Sequence, residues 1–335
     1  MAFDLLRSIV RRFHCHGTHH RLAWDALSLI KSDSGRRLVR MLRRHHGRYL
    51  VGSMDPDTRF CDFQNHVIHA REGFWGGAPR VAHAWYDRML RYLRTHRYSD
   101  ATHAAGVLSH YFSDPLNPLH TYHDERERVL HGPVEWSLHC SYDRLLRCWQ
   151  HSDIRVVFQL SDHDGWLGEA MLHGARYANR KYESLLDGYD PSRALNDPAG
   201  AMTPEAWKAM VELCGLAITG WAKVLERIAE ESELERGAPL PSFSRVLPAA
   251  VASARIPNQN LKKWSEHQAH RIELAELLDE WRMTGDIREH LPTEVDIVHR
   301  VVRVRRDEKR WKLERERRLA SKDTAVKMQP RRRAA

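Results

Sequence analysis

The sequence predicts an all-α chain, and three observations carry the prediction. Apolar residues recur at helical spacing, as in Leu22, Ala23, Ala26, Leu27 and Ile30. Residues that cap or open helices stand ahead of most of these stripes. No alternating run is long enough to anchor a sheet; Val156-Val157-Phe158 is the nearest, and it is short.

Taken in order, residues 1–13 fit a short basic amphipathic helix with Leu5, Leu6, Ile9, Val10 and Phe13 on one side, a possible contact for a membrane surface. Thr18 can cap a helix through about Ile30, and a second spans about Ser34 to His46. Pro79 suits the first turn of a helix reaching about Thr95, and Ser99 can cap the next, whose far end delivers His110 and Asp114. Pro133 is expected to open a helix through about Trp149, and longer helices fit 164–186 and 203–232. Gly237, Pro239, Pro241, Pro248 and Pro257 then mark a change of character. The expected organisation is a helical domain over 1–235, a linker over 236–258 and a charged helical extension over 259–335. The extension has helices at about 259–283 and 293–320 and a disordered basic tail, Gln329–Ala335.

Composition narrows the function. Of the chain's 23 histidines, 16 fall in residues 1–140. The net charge of +9 favours anionic partners such as phosphodiesters, nucleic acid or an acidic lipid surface, and does not choose among them. Five cysteines without disulfide-like spacing, and the lack of a long apolar leader, lead to the expectation of a cytoplasmic protein. No run approaches the length of a membrane-spanning helix.

The chemistry is densest between His110 and Glu135. His110 and Asp114 are four apart and share a helix face, and His131 and Glu135 repeat the spacing. His120 lies between them, after Pro115 and Pro118. Imidazole and carboxylate without thiolate suit a hydrolytic zinc site, because such ligands leave the metal Lewis-acidic. Upstream, Gly17-Thr18-His19 stands at a helix start, and Pro56-Asp57 forms a turn ahead of Phe63-Gln64-Asn65-His66-Val67-Ile68-His69. Any one His-x-x-x-Asp pair is more often a surface contact than a ligand pair. The co-linear series of Gly-Thr-His, Pro-Asp, His, His-x-x-x-Asp-x-x-x-Pro-x-His and His-x-x-x-Glu is much more specific.

That series resembles the zinc-dependent phospholipase C family, which includes alpha-toxin and is related in fold to zinc-dependent single-strand nucleases. The resemblance covers about residues 15–232 and is closest over His110–His120. It implies an all-helical bundle with up to three zinc ions in a cleft that cleaves phosphodiesters. It also implies that His120, His131 and Glu135 hold one zinc, that His110 and Asp114 serve a closely spaced pair with Asp114 bridging, and that His19 is the N-terminal histidine ligand. Asp57 then matches the family's acid, which ligates zinc and assists the attacking water; Asp55 is read as a turn residue. The remaining histidine is His66 by its aromatic-x-x-His-apolar context or His69 by its distance from Asp57. The secreted members use a mature N-terminal tryptophan on one zinc. No Trp precedes His19 here, so His14, Cys15 or His16 takes its place or that zinc is absent, leaving two or three ions.

The reading is a zinc-dependent phosphodiester hydrolase, phospholipase C-like and acting on phospholipid, with the basic tail as a possible contact for anionic membrane or nucleic acid. The rivals are a nuclease or nucleotide phosphodiesterase on the same site, and a metal-binding scaffold without turnover.

Overall fold

The structure, a computed structural model, describes residues 2–153, 157–237, 239–241, 243 and 246–327. Among these, the fold is all-α, with two isolated bridges, His69–Trp75 and Tyr189–Met202, and no strand. Val156 and the tail beyond Lys327 lie outside the described residues.

The helices run α1 (Ala2–Ile9), α2 (Thr18–Ala26), α3 (Asp33–Arg44), α4 (His46–Gly52), α5 (Ala78–Arg94), α6 (Tyr98–Ser113) and α7 (Glu125–His151). They continue as α8 (Trp166–Asn179), α9 (Tyr182–Asp187), α10 (Pro204–Arg236), α11 (Val246–Ala254), α12 (Ile256–Thr284) and α13 (Thr293–Lys327). The 164–186 stretch expected as one helix is two, α8 and α9, broken at Arg180 and Lys181. Leu6, Ile9 and Val10 of the amphipathic N-terminus are buried in the core, whereas Leu5 is exposed.

α6 is the central helix, with every residue from Ala101 to Ser113 buried. α4 crosses it at backbone contact. A Cβ on Gly106 would stand 2.1 Å from the Tyr49 carbonyl oxygen, and one on Gly52 would stand 2.3 Å from that of His103. Only two glycines facing each other permit this approach, and it brings the end of α4 beside His110.

α7 corrects the sequence reading. Pro133 does not open this helix but sits inside it. Asp124 is the true start: its side chain accepts hydrogen bonds from the backbone N–H groups of Arg126 and Glu127, both at 3.0 Å. A 27-residue helix tolerates the one backbone bond that proline forfeits. The earlier start puts Glu127, His131 and Glu135 on one face, four residues apart.

Residues beyond 236 pack back onto the bundle. Leu240, Ala249, Ala252, Leu274, Leu277, Leu278 and Ile287 join the main core. Val298 and Val302 of α13 pack with Phe63 and Val67. No helix among the described residues is long and apolar enough to cross a membrane.

Candidate metal centre

Asp114 is the pivot. The last turn of α6 carries His110, and Pro115 stops the helix one residue after Asp114. The Asp114 carboxylate, 1% exposed, has Oδ1 3.3 Å from His19 Nε2. Its Oδ2 lies 2.9 Å from His66 Nδ1 and 3.0 Å from His110 Nε2. His19 projects from the first turn of α2 and stacks on His110 with ring centroids 3.9 Å apart. Asp57 enters from the turn after α4, with Oδ1 3.2 Å from His110 Nε2 and 3.5 Å from His66 Nδ1.

Two sets therefore surround Asp114: His19, His110 and Asp114, and Asp57, His66 and His110. A third set is His120, His131 and Glu135, with Glu135 Oε1 3.5 Å from His120 Nε2 and 3.4 Å from His131 Nε2. A fourth set of the same kind, His123, Glu127 and His131, shares His131. Eight of the nine singled-out residues belong to the first three sets. His69 does not: its Nδ1 faces Glu72 at 2.8 Å and its Nε2 faces His123 Nδ1 at 2.8 Å. Asp55, read as a turn residue, is buried and accepts a 2.6 Å hydrogen bond from His103 Nε2. His14 and His16 are turned elsewhere, to the Ala252 carbonyl and to Glu266, and Cys15 is buried.

The neighbours fix which nitrogen faces the centre. His110 Nδ1 donates to the Ser53 carbonyl at 2.9 Å, so Nε2 is the nitrogen that faces the carboxylates. His131 Nδ1 hydrogen-bonds to Glu127, which leaves Nε2 facing Glu135 and His120. His131 Nε2 is buried without a hydrogen-bond partner, an atom that a bound cation would satisfy.

Protons stand where cations would. Burial opposes charge on His110, yet the Asp114 and Asp57 carboxylates hold its imidazole protonated well above the ordinary range. His66 is raised to about 10 against burial, chiefly by hydrogen bonding to Asp114. Asp114 and Glu135 are held well below the usual carboxylate range despite burial, mainly by His110 and His131 respectively. Glu294 of α13 is the opposite case: burial and then the charge of Glu135 push it up to about 7. The groups line a cleft of about 1690 Å³ whose walls include Asp57, Asp114, His120, Glu135 and Glu294.

His123, Glu127, Glu294 and His299 escaped the sequence reading. The first two had a signal, because His123, Glu127, His131 and Glu135 recur every four residues. Glu294 and His299 had none, since only the packing of α13 brings them here.

No family profile and no curated protein matches the sequence. Among solved structures, the fold is similar to that of alpha-toxin from an avian strain of Clostridium perfringens, with TM-score 0.50 and 15% identity over 65% of each chain. Alpha toxin from Clostridium absonum aligns over the same shares at 15% identity with TM-score 0.47. The chain thus spans less than two thirds of these proteins' length. Over the aligned 65%, its fold is the helical fold of the Clostridium perfringens alpha-toxin, as the resemblance in the sequence implied.

Proposed function

We propose that this chain is a zinc-dependent phosphodiester hydrolase of phospholipase C type. The observation that carries the reading is the convergence of imidazole–carboxylate sets on one open cleft, two of them around Asp114 and another at His120, His131 and Glu135. Zinc ions held there would supply Lewis acidity to a bound water and to the phosphoryl oxygens.

Two ions would be held firmly and a third weakly. His110 has one nitrogen to offer, because Nδ1 is committed to Ser53. Given to Asp57 and His66, it completes a four-residue cage with Asp114. The His19 side then keeps only His19 and Asp114. His120, His131 and Glu135 form the second cage.

The residues divide the remaining work. Asp57 is 28% exposed where Asp114 is 1%, so Asp57 is the carboxylate open to the cleft and positioned to take the proton of an attacking water. Asp114 and Glu135 stay ionised and hold the cage together. Leu22, Val51 and Met54 line the same cleft and offer apolar surface to a lipid substrate.

A second reading, a nuclease on the same site, draws on Arg44, Arg48, Arg255, Lys262 and Lys263, which also line the cleft and suit a polyanion. The test is turnover on a panel of phospholipids in mixed micelles and on single-stranded DNA and RNA, with and without chelator. Chelator-sensitive release of a phosphorylated headgroup is the expected result. Cleavage of nucleic acid alone would favour the second reading, and zinc-loaded protein inert on the whole panel would leave a scaffold.

A further inference from the structure

His120 and His131 each present one nitrogen to Glu135 and keep the other for a second partner. At His131 that partner is Glu127, whose side chain is fully buried. Its partners are imidazoles: His131 Nδ1 at Oε1, His299 Nε2 at Oε2 at 2.6 Å, and His123 Nε2 at 4.0 Å. A carboxylate so deeply buried is costly unless donors meet both oxygens, and here an imidazole from α7 and one from α13 meet them. At His120, Nδ1 is buried without a hydrogen-bond partner, and Glu294 Oε1 stands 3.9 Å away. A movement of about 1 Å would close that gap to a hydrogen bond. Glu294 and His299 both lie on α13 and flank its buried stripe of Val295, Val298 and Val302. Arg306 fixes the helix further along, through Glu72 at 2.9 Å and the His123 carbonyl at 3.0 Å.

We propose that α13 builds the outer coordination sphere of the metal held by His120, His131 and Glu135. Glu127 and Glu294 are the positioning carboxylates of the two imidazoles, and His299 holds Glu127 in place. A carboxylate on the far nitrogen fixes the ring's tautomer and orientation and makes the ligating nitrogen more basic. The inference rests on the metal reading of this set. It adds that residues beyond 232, outside the stretch that resembles the phospholipases, belong to the metal centre.

The test measures metal, not turnover. Full-length protein and the variants E127Q, E294Q, H299L and H299Q are loaded with zinc and titrated with a competing chelator, and the cobalt-substituted forms are compared by visible absorption. E127Q is expected to weaken one ion about 10- to 100-fold and leave the others unchanged. H299L and E294Q should weaken the same ion, with the cobalt bands of that one equivalent altered. H299Q keeps an N–H donor at the reach of His299 Nε2 and should restore most of the affinity. Variants that fold and hold every ion within twofold of wild type overturn the inference alone. Should E127Q not fold, unchanged affinity in H299L and E294Q, which alter the α13 side, overturns it equally. Wild type that binds no zinc overturns the metal reading and the inference together.

Discussion

Asp114 has two oxygens and they face different histidines. Oδ1 looks to His19, and Oδ2 to His66 and His110. A substitution there should therefore do more than a substitution at any one imidazole. In zinc-buffered solution, where every site can fill, D114N is expected to lose the two zinc equivalents beside it and H19Q no more than one, by elemental analysis of folded protein. Equal losses would mean that Asp114 does not bridge. Asp57 differs in being open to the cleft. D57N should keep most of the zinc while turnover per bound metal falls about 10²- to 10⁴-fold, the scale for removing a positioned base. D55N should act differently: it replaces the buried acceptor of His103 and should lower the melting temperature with little effect on turnover per bound metal. Full activity in D57N with loss in D55N would shift the proposed base by two residues.

At the scale of the helix, sequence legibility followed locality. His110, Asp114, His120, His131 and Glu135 were readable because helix periodicity and two prolines order them within one short stretch. Glu127 was hidden because Pro133 reads as a helix start, whereas Asp124 caps the helix nine residues earlier. Whether His66 or His69 joins Asp57 depends on which way a turn aims its side chains, and periodicity does not encode that. In space His66 meets Asp57 and His110, and His69 turns to Glu72 and His123. The α4–α6 crossing was equally silent, although it orients the His110 ring through Ser53. G106A should destabilise the fold by about 1–3 kcal/mol, the usual cost of overpacking, because the new methyl collides with the Tyr49 carbonyl. The same change should reduce zinc affinity at the His110 side. Chemical denaturation with unchanged midpoint and slope would show that the two helices separate without cost.

For the whole molecule, the charge balance of the cleft predicts opposite pH responses with and without metal. In the metal-free protein His66 is raised from 6.5 to about 10. Its contribution to stability is therefore complete below about pH 6.5 and lost as pH rises through about 10. Asp114 is held well below 3.8, so its contribution is complete above about pH 4 and lost only at lower pH. Zinc must displace the histidine protons, so its affinity rises with pH over the range in which the metal-free protein weakens. The difference in melting temperature between zinc-loaded and chelator-treated protein should widen from pH 6.5 to 9. A difference that stays constant or narrows contradicts this balance. The C-terminal helices belong to the same scale. Charge density and proline content mark residues 236–335 as different in kind, but nothing local in them foretells that α13 delivers Glu294 and His299 to the cleft.

The central claim is that the two imidazole–carboxylate sets around Asp114 and the set of His120, His131 and Glu135 hold zinc. Elemental analysis of the full-length protein, purified without a histidine tag, tests it most directly. Two to three zinc ions per chain is the predicted result, two of them surviving dialysis and the third, on the His19 side, the first to leave. Protein that is folded, carries no zinc and takes up none from a zinc-buffered solution would contradict it.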